Sequence, residues 1–160
     1  MKKIFAILLV GVLMLLPSCG KKVKKETVTP QRPDCKVTVK YNDIDYSANV
    51  RYSDIGVMTV SLLAPLDGMT ISVGDNGCEL MYDGMKLKYG EQEMNRFCPF
   101  LELYGLLKTV CYTVPESVTA SGDKYVLKYR TPEVSCKVIS DKQDGKIREI
   151  EADKLKFIFQ

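Results

Sequence analysis

From Cys35 onward the chain alternates apolar and polar positions with a period of two, the mark of strands that present one face to a core. Cys35, Val37, Val39 and Tyr41 fall on one side, and Lys36, Thr38 and Lys40 on the other. After an Asn42-Asp43 turn the pattern repeats in Tyr46, Ala48, Val50 and Tyr52. Residues 57–64 are apolar on both faces, which predicts a strand covered at least in part on both sides. Asp75-Asn76-Gly77 and Asp83-Gly84 are tight-hairpin signals, because their residues tolerate positive φ. Further strands are expected at 69–73, 78–82, 85–89, 117–121, 124–130, 134–140, 147–152 and 155–159. The pattern predicts about eleven short strands in hairpin succession.

Residues 99–108, Pro-Phe-Leu-Glu-Leu-Tyr-Gly-Leu-Leu-Lys, are too long and too leucine-rich to be one of these strands. Pro99 suits the first position of a helix, where its missing N–H costs nothing. Phe100, Leu103, Tyr104 and Leu107 form one face, while Leu101 and Leu106 spread apolar groups around the rest. Such a helix is buried on more than one side. A flat sheet covers only one, so a mainly β fold is expected, its antiparallel sheet curved around one apolar helix near residues 99–109. Gly105 costs about 1 kcal/mol against alanine in that helix.

The first residues follow another rule. Lys2 and Lys3 precede thirteen uncharged residues, 4–16, a run too short for the ~20 residues that span a bilayer and within the range of an export signal. It ends in Leu16-Pro17-Ser18-Cys19, which resembles the lipobox of bacterial lipoproteins. The resemblance implies cleavage of a signal peptide, 1–18, and a diacylglycerol on Cys19 that anchors the protein to the membrane on its extracytoplasmic face. Behind it, 19–34 reads as a flexible tether: it is polar, holds Pro30 and Pro33, and has little to bury. Residues 35–160 are expected to form a single domain.

Charge and composition narrow the chemistry. Residues 35–160 carry 16 basic and 18 acidic side chains, which is no footprint for nucleic acid. Histidine is absent, and with it Ser-His-Asp or Cys-His catalysis and imidazole zinc sites. The aspartates fall mostly in turns, where such side chains hydrogen-bond their own backbone. No catalytic residue, metal site or cofactor is expected. Besides Cys19 there are Cys35, Cys78, Cys98, Cys111 and Cys136, an odd number whose pairing, if any, stays open.

About six strands, one apolar helix and five more strands behind a lipid anchor resemble the LolA/LolB-like half-barrel lipoproteins. Residues 64–70 (Ala-Pro-Leu-Asp-Gly-Met-Thr) and 80–85 (Leu-Met-Tyr-Asp-Gly-Met) resemble a strand-turn-strand segment of uncharacterised Gram-positive members. The resemblance implies an unclosed barrel whose apolar bore holds acyl chains or a peptide. Leu66, Leu103, Tyr104 and Leu107 are the candidate ligand contacts. The expected function is a membrane-anchored lipoprotein that binds an apolar ligand, lipid or acyl chain, or a lipoprotein partner. The alternative is a structural or protein-interaction module of the cell envelope with a solid core and no ligand.

Overall fold

A computed structural model describes residues 28–64, 66–90 and 99–160. The export signal, Cys19, most of the expected tether and Cys98 lie outside the described residues. Eleven strands form one open antiparallel sheet: β1 (Asp34–Tyr41), β2 (Ile44–Tyr52), β3 (Met58–Ala64), β4 (Thr70–Gly74), β5 (Gly77–Tyr82), β6 (Met85–Tyr89), β7 (Ser117–Ser121), β8 (Lys124–Arg130), β9 (Ser135–Asp141), β10 (Ile147–Ala152) and β11 (Leu155–Phe159). The helix α1 (Pro99–Tyr112) stands between β6 and β7. The mainly β, unclosed half-barrel with one helix is the fold that the periodicity and the resemblance lead to.

The order across the sheet is β6-β5-β4-β3-β2-β1-β11-β10-β9-β8-β7. The chain starts at the centre, walks outward by hairpins to β6, and re-enters at the opposite edge, β7. From there it walks back until β11 meets β1, with Val37 opposite Phe159 and Val39 opposite Phe157. The segment holding α1 therefore joins the two edges. Register shifts at Ser47/Ala48 and Ile147/Glu149 add bend to the ordinary strand twist.

The inner face is the core. Val37, Val50, Met58, Val60, Val73, Leu127, Val138, Ile150 and Phe157 are sealed from solvent together with the apolar face of α1. On that helix Phe100, Leu103, Leu106, Leu107 and Val110 are buried, while Glu102, Lys108 and Tyr112 stay exposed. The helix runs past Lys108 because Val110 gains burial that outweighs its modest helix propensity. Thr113 closes the last turn onto the Thr109 carbonyl, and Pro115 prevents continuation.

One local expectation holds in part and another changes. Strand β3 has one face buried, at Met58, Val60 and Leu62, and the other covered only in part: Thr59 and Ser61 are half-buried, while Leu63 and Ala64 at its end are exposed. The residues from Val28 to Pro33, which composition places in the tether, lie against the domain. Val28, Pro30 and Pro33 are buried, Gln31 N–H donates to the Gly145 carbonyl at 2.8 Å, and the Pro33 carbonyl accepts from Tyr52 at 2.9 Å. Prolines need no donor partner, so an extended Pro-containing segment packs at low cost.

Candidate functional site

Three strands and one hairpin turn define the place where the core stops. Ile71 and Val73 of β4 are buried on the inner face. Their partners across the ladder are Leu80 and Cys78 of β5, which pair in turn with Leu87 and Tyr89 of β6, while Tyr82 pairs with Met85. Antiparallel partners share a face, so Cys78, Leu80, Tyr82, Met85, Leu87 and Tyr89 all belong to the inner side. Cys78 is buried and Leu80 half-buried, yet Met85 is 62% and Leu87 51% exposed, with Tyr82 and Tyr89 exposed as well.

The cause is the reach of α1. Its fourteen residues make a rod about 21 Å long and roughly 10–12 Å across, while eleven strands at about 4.8 Å spacing span ~48 Å along the curve. On this side the helix meets the β4–β5 turn. There the Tyr104 hydroxyl donates to Asp75 Oδ1 at 2.9 Å and Lys108 Nζ approaches the same oxygen at 2.6 Å. These bonds, Lys108 first, hold the Asp75 carboxyl below the usual range. Past Cys78 and Leu80 the apolar inner side lies open, at Tyr82, Met85, Leu87 and Tyr89.

A groove lies near each end of the hairpin, lined from both sides of the sheet. One, of about 460 Å³, opens between the β2–β3 and β4–β5 turns, with Val73, Cys78 and Tyr89 from the inner side and Ser72, Glu79 and Lys88 from the outer. The other, of about 230 Å³, lies at the β5–β6 turn, with Tyr82 and Met85 from the inner side and Thr70, Met81 and Lys86 from the outer. From Met85 to Tyr89 the strip is about 13 Å long at the strand rise of ~3.3 Å per residue.

The sequence-derived contacts scatter. Leu103 and Leu107 are 0% exposed and fill the bore against the sheet. Tyr104 is half-buried beside Tyr52, ring centroids 6.3 Å apart, and binds Asp75. Leu66 is exposed in the β3–β4 turn. The structure brings Leu103, Tyr104 and Leu107 together on the helix but leaves Leu66 apart from them. Sequence reasoning passed over Met85 and Leu87, because Met-Lys-Leu-Lys-Tyr reads like any half-buried strand.

At the C-terminal end of α1, Arg32 pairs with Asp54 and lies over the Tyr112 ring, 5.6 Å from its centroid. Cys111 is nearby, its thiol pushed up by burial against the opposing influence of Arg32. Burial likewise raises Cys35, Cys78 and Cys136, the last to about 11, and all four described cysteines are free thiols. They are held protonated, the opposite of an activated nucleophile. Among the described residues no cluster of three or more Cys, Asp or Glu is placed to hold a metal ion, and no helix is long and apolar enough to cross a membrane.

No family model matches the sequence, and no curated protein matches it.

Proposed function

We propose that this protein is a membrane-anchored, extracytoplasmic lipoprotein that binds an apolar ligand, an acyl chain or lipid, on the uncovered inner side of the β5–β6 hairpin. The observation that carries the reading is the exposed apolar strip of Tyr82, Met85, Leu87 and Tyr89, continuous with the core. Soluble surfaces scatter their apolar side chains, whereas a contiguous strip marks a binding site.

The ligand belongs beside α1 rather than under it, because Phe100, Leu103 and Leu107 already occupy the bore. An open strip half-covers its guest. At about 0.8 kcal/mol per buried methylene, some ten half-buried methylenes contribute about 4 kcal/mol, a millimolar affinity. Such a site works when its ligand is held in the same membrane, where tethering raises the effective concentration. Eight residues separate Cys19 from Val28, the start of the packed segment, so the domain stays within about 30 Å of an anchor at Cys19.

A photoreactive palmitate analogue supplied to cells that make the full chain tests this. Adducts are expected on the peptide that contains Tyr82 to Tyr89, and Leu87→Glu is expected to remove them while the protein stays folded. Adducts confined to other segments, or none above a scrambled-surface control, reject the site.

A further inference from the structure

Strand β6 is the outermost on its side of the sheet, and among the described residues it pairs only with β5. Asp83 and Gly84, with φ of 47° and 78°, make the two-residue turn that joins them. In such a hairpin the residues flanking the turn, Tyr82 and Met85, exchange hydrogen bonds, and every second pair beyond does the same. Leu87 and Tyr89 therefore bond toward β5. The N–H and C=O groups of Lys86 and Lys88 point the other way, out of the sheet edge.

We propose that β6 accepts an extended segment of a partner protein as a twelfth strand, one in which apolar residues alternate with acidic ones. The proposal rests on the reading that the inner side of β5–β6 is a binding face, and it names a partner for that face. An added strand has the same rise and alternation as β6. Its inner side chains lie beside Met85, Leu87 and Tyr89, extending the apolar strip. Its outer ones lie beside Lys86 and Lys88.

Charge selects the partner. Lys86 and Lys88 both reach Glu79, at 3.2 and 3.6 Å, so two cations share one carboxylate and one positive charge is left over. Opposite charges on neighbouring strands attract and like charges repel. A second copy of this chain is a poor occupant for that reason. When β6 pairs antiparallel with β6 over its full length and the apolar sides are kept together, the two lysines of one copy face those of the other. Lysines on an edge strand commonly guard against self-pairing; here the same guard leaves the edge open to an acidic strand.

The test uses the full chain in nanodiscs of zwitterionic lipid and short fluorescent peptides of alternating valine and glutamate, or valine and lysine, read by anisotropy. The glutamate peptide is expected to bind about ten-fold more tightly than the lysine peptide. Lys88→Pro removes an outward edge donor without touching the β5 ladder and is expected to abolish binding, while Lys88→Gln keeps the donor and weakens binding a few-fold. Lys86→Pro is the second edge variant should Lys88→Pro fail to fold by circular dichroism. Equal binding of both peptides, no binding of either, or full binding by the folded proline variants overturns the proposal, as does a dimer that Lys88→Pro dissolves. Palmitate labelling of the same samples separates the two readings. Labelling that persists without peptide binding removes only the added strand. Peptide binding without labelling removes the apolar ligand and leaves the strand.

Discussion

At the scale of single residues, two glycines show how the same side-chain absence serves different ends. Gly77 sits at φ 115°, and a Cβ there would run into the Tyr89 carbonyl oxygen across the hairpin. Gly105 lies in α1 with nothing within 4 Å of where a Cβ would stand. Gly77→Ala is expected to cost about 1–3 kcal/mol in strain, and Gly105→Ala to gain about 1 kcal/mol from helix propensity. Thermal or urea unfolding of the two variants checks the pair, and equal effects would contradict it. The hydroxyl of Tyr129 is buried without a hydrogen-bond partner among the described residues. Tyr129→Phe is therefore expected to leave stability within about 0.5 kcal/mol of the parent or to raise it. The phenol also gives a pH dependence. Burial pushes it well above its ordinary value, so above about pH 10 the unfolded chain loses this proton first and stability falls as pH rises. Tyr129→Phe should flatten that alkaline limb. The Cys136 thiol, pushed up to about 11, adds a loss that begins near pH 8.5.

Among the elements, α1 is the one on which the architecture depends. Its buried side chains meet the inner sheet face from both halves of the chain, and removing it would expose the core of each. Leu103→Asp or Leu107→Asp puts an unpaired charge at a position with no solvent access, among the costliest single changes. Both variants are expected to be unfolded at room temperature by circular dichroism. Native spectra and unchanged melting would mean that the helix is dispensable. The outer hairpin is the opposite case. Its inner side is exposed at Tyr82, Met85, Leu87 and Tyr89, and its edge has no strand neighbour among the described residues. Amide exchange at Lys86 and Lys88 is expected to be fastest among strand residues, and slowest in β1 and β11, whose pairing closes the two halves. Uniform protection across the sheet would contradict this ordering.

For the whole molecule, the central meeting of β1 and β11 makes the fold depend on contacts between the two ends of the domain. The packed segment Val28–Pro33 then fixes where the chain leaves the domain toward its N-terminus. Under the proposed anchoring at Cys19, eight residues would link that cysteine to Val28 and keep the apolar strip within reach of ligands in the same membrane. Cys19→Ala is expected to abolish lipidation and leave uncleaved precursor, or to release protein where another peptidase acts. Mass spectrometry of the native sequence that shows an unmodified, membrane-independent mature protein would end this reading.

The eleven strands were legible because each rests on local rules: period-two alternation, and turn residues such as Asn42, Asp43, Asp83 and Gly84 that adopt positive φ. The helix was legible from Pro99 and a leucine-rich run that no strand pattern fits, and its all-round apolar character implied a curved sheet. Its end at Tyr112 was not, because Thr109 and Val110 are poor helix formers whose burial is settled by the opposite sheet face. Nor did composition reveal that Val28 to Pro33 packs, since its partners, Tyr52 and Gly145, are remote in sequence. The strip on β5–β6 is the clearest divide. Met85-Lys86-Leu87-Lys88-Tyr89 and Val37-Thr38-Val39-Lys40-Tyr41 carry the same alternation, and each fixes which side of the sheet its apolar residues take. Whether that side is covered depends on how far a single helix of about 21 Å reaches over a sheet more than twice as broad, and only the tertiary structure decides which strands it leaves bare.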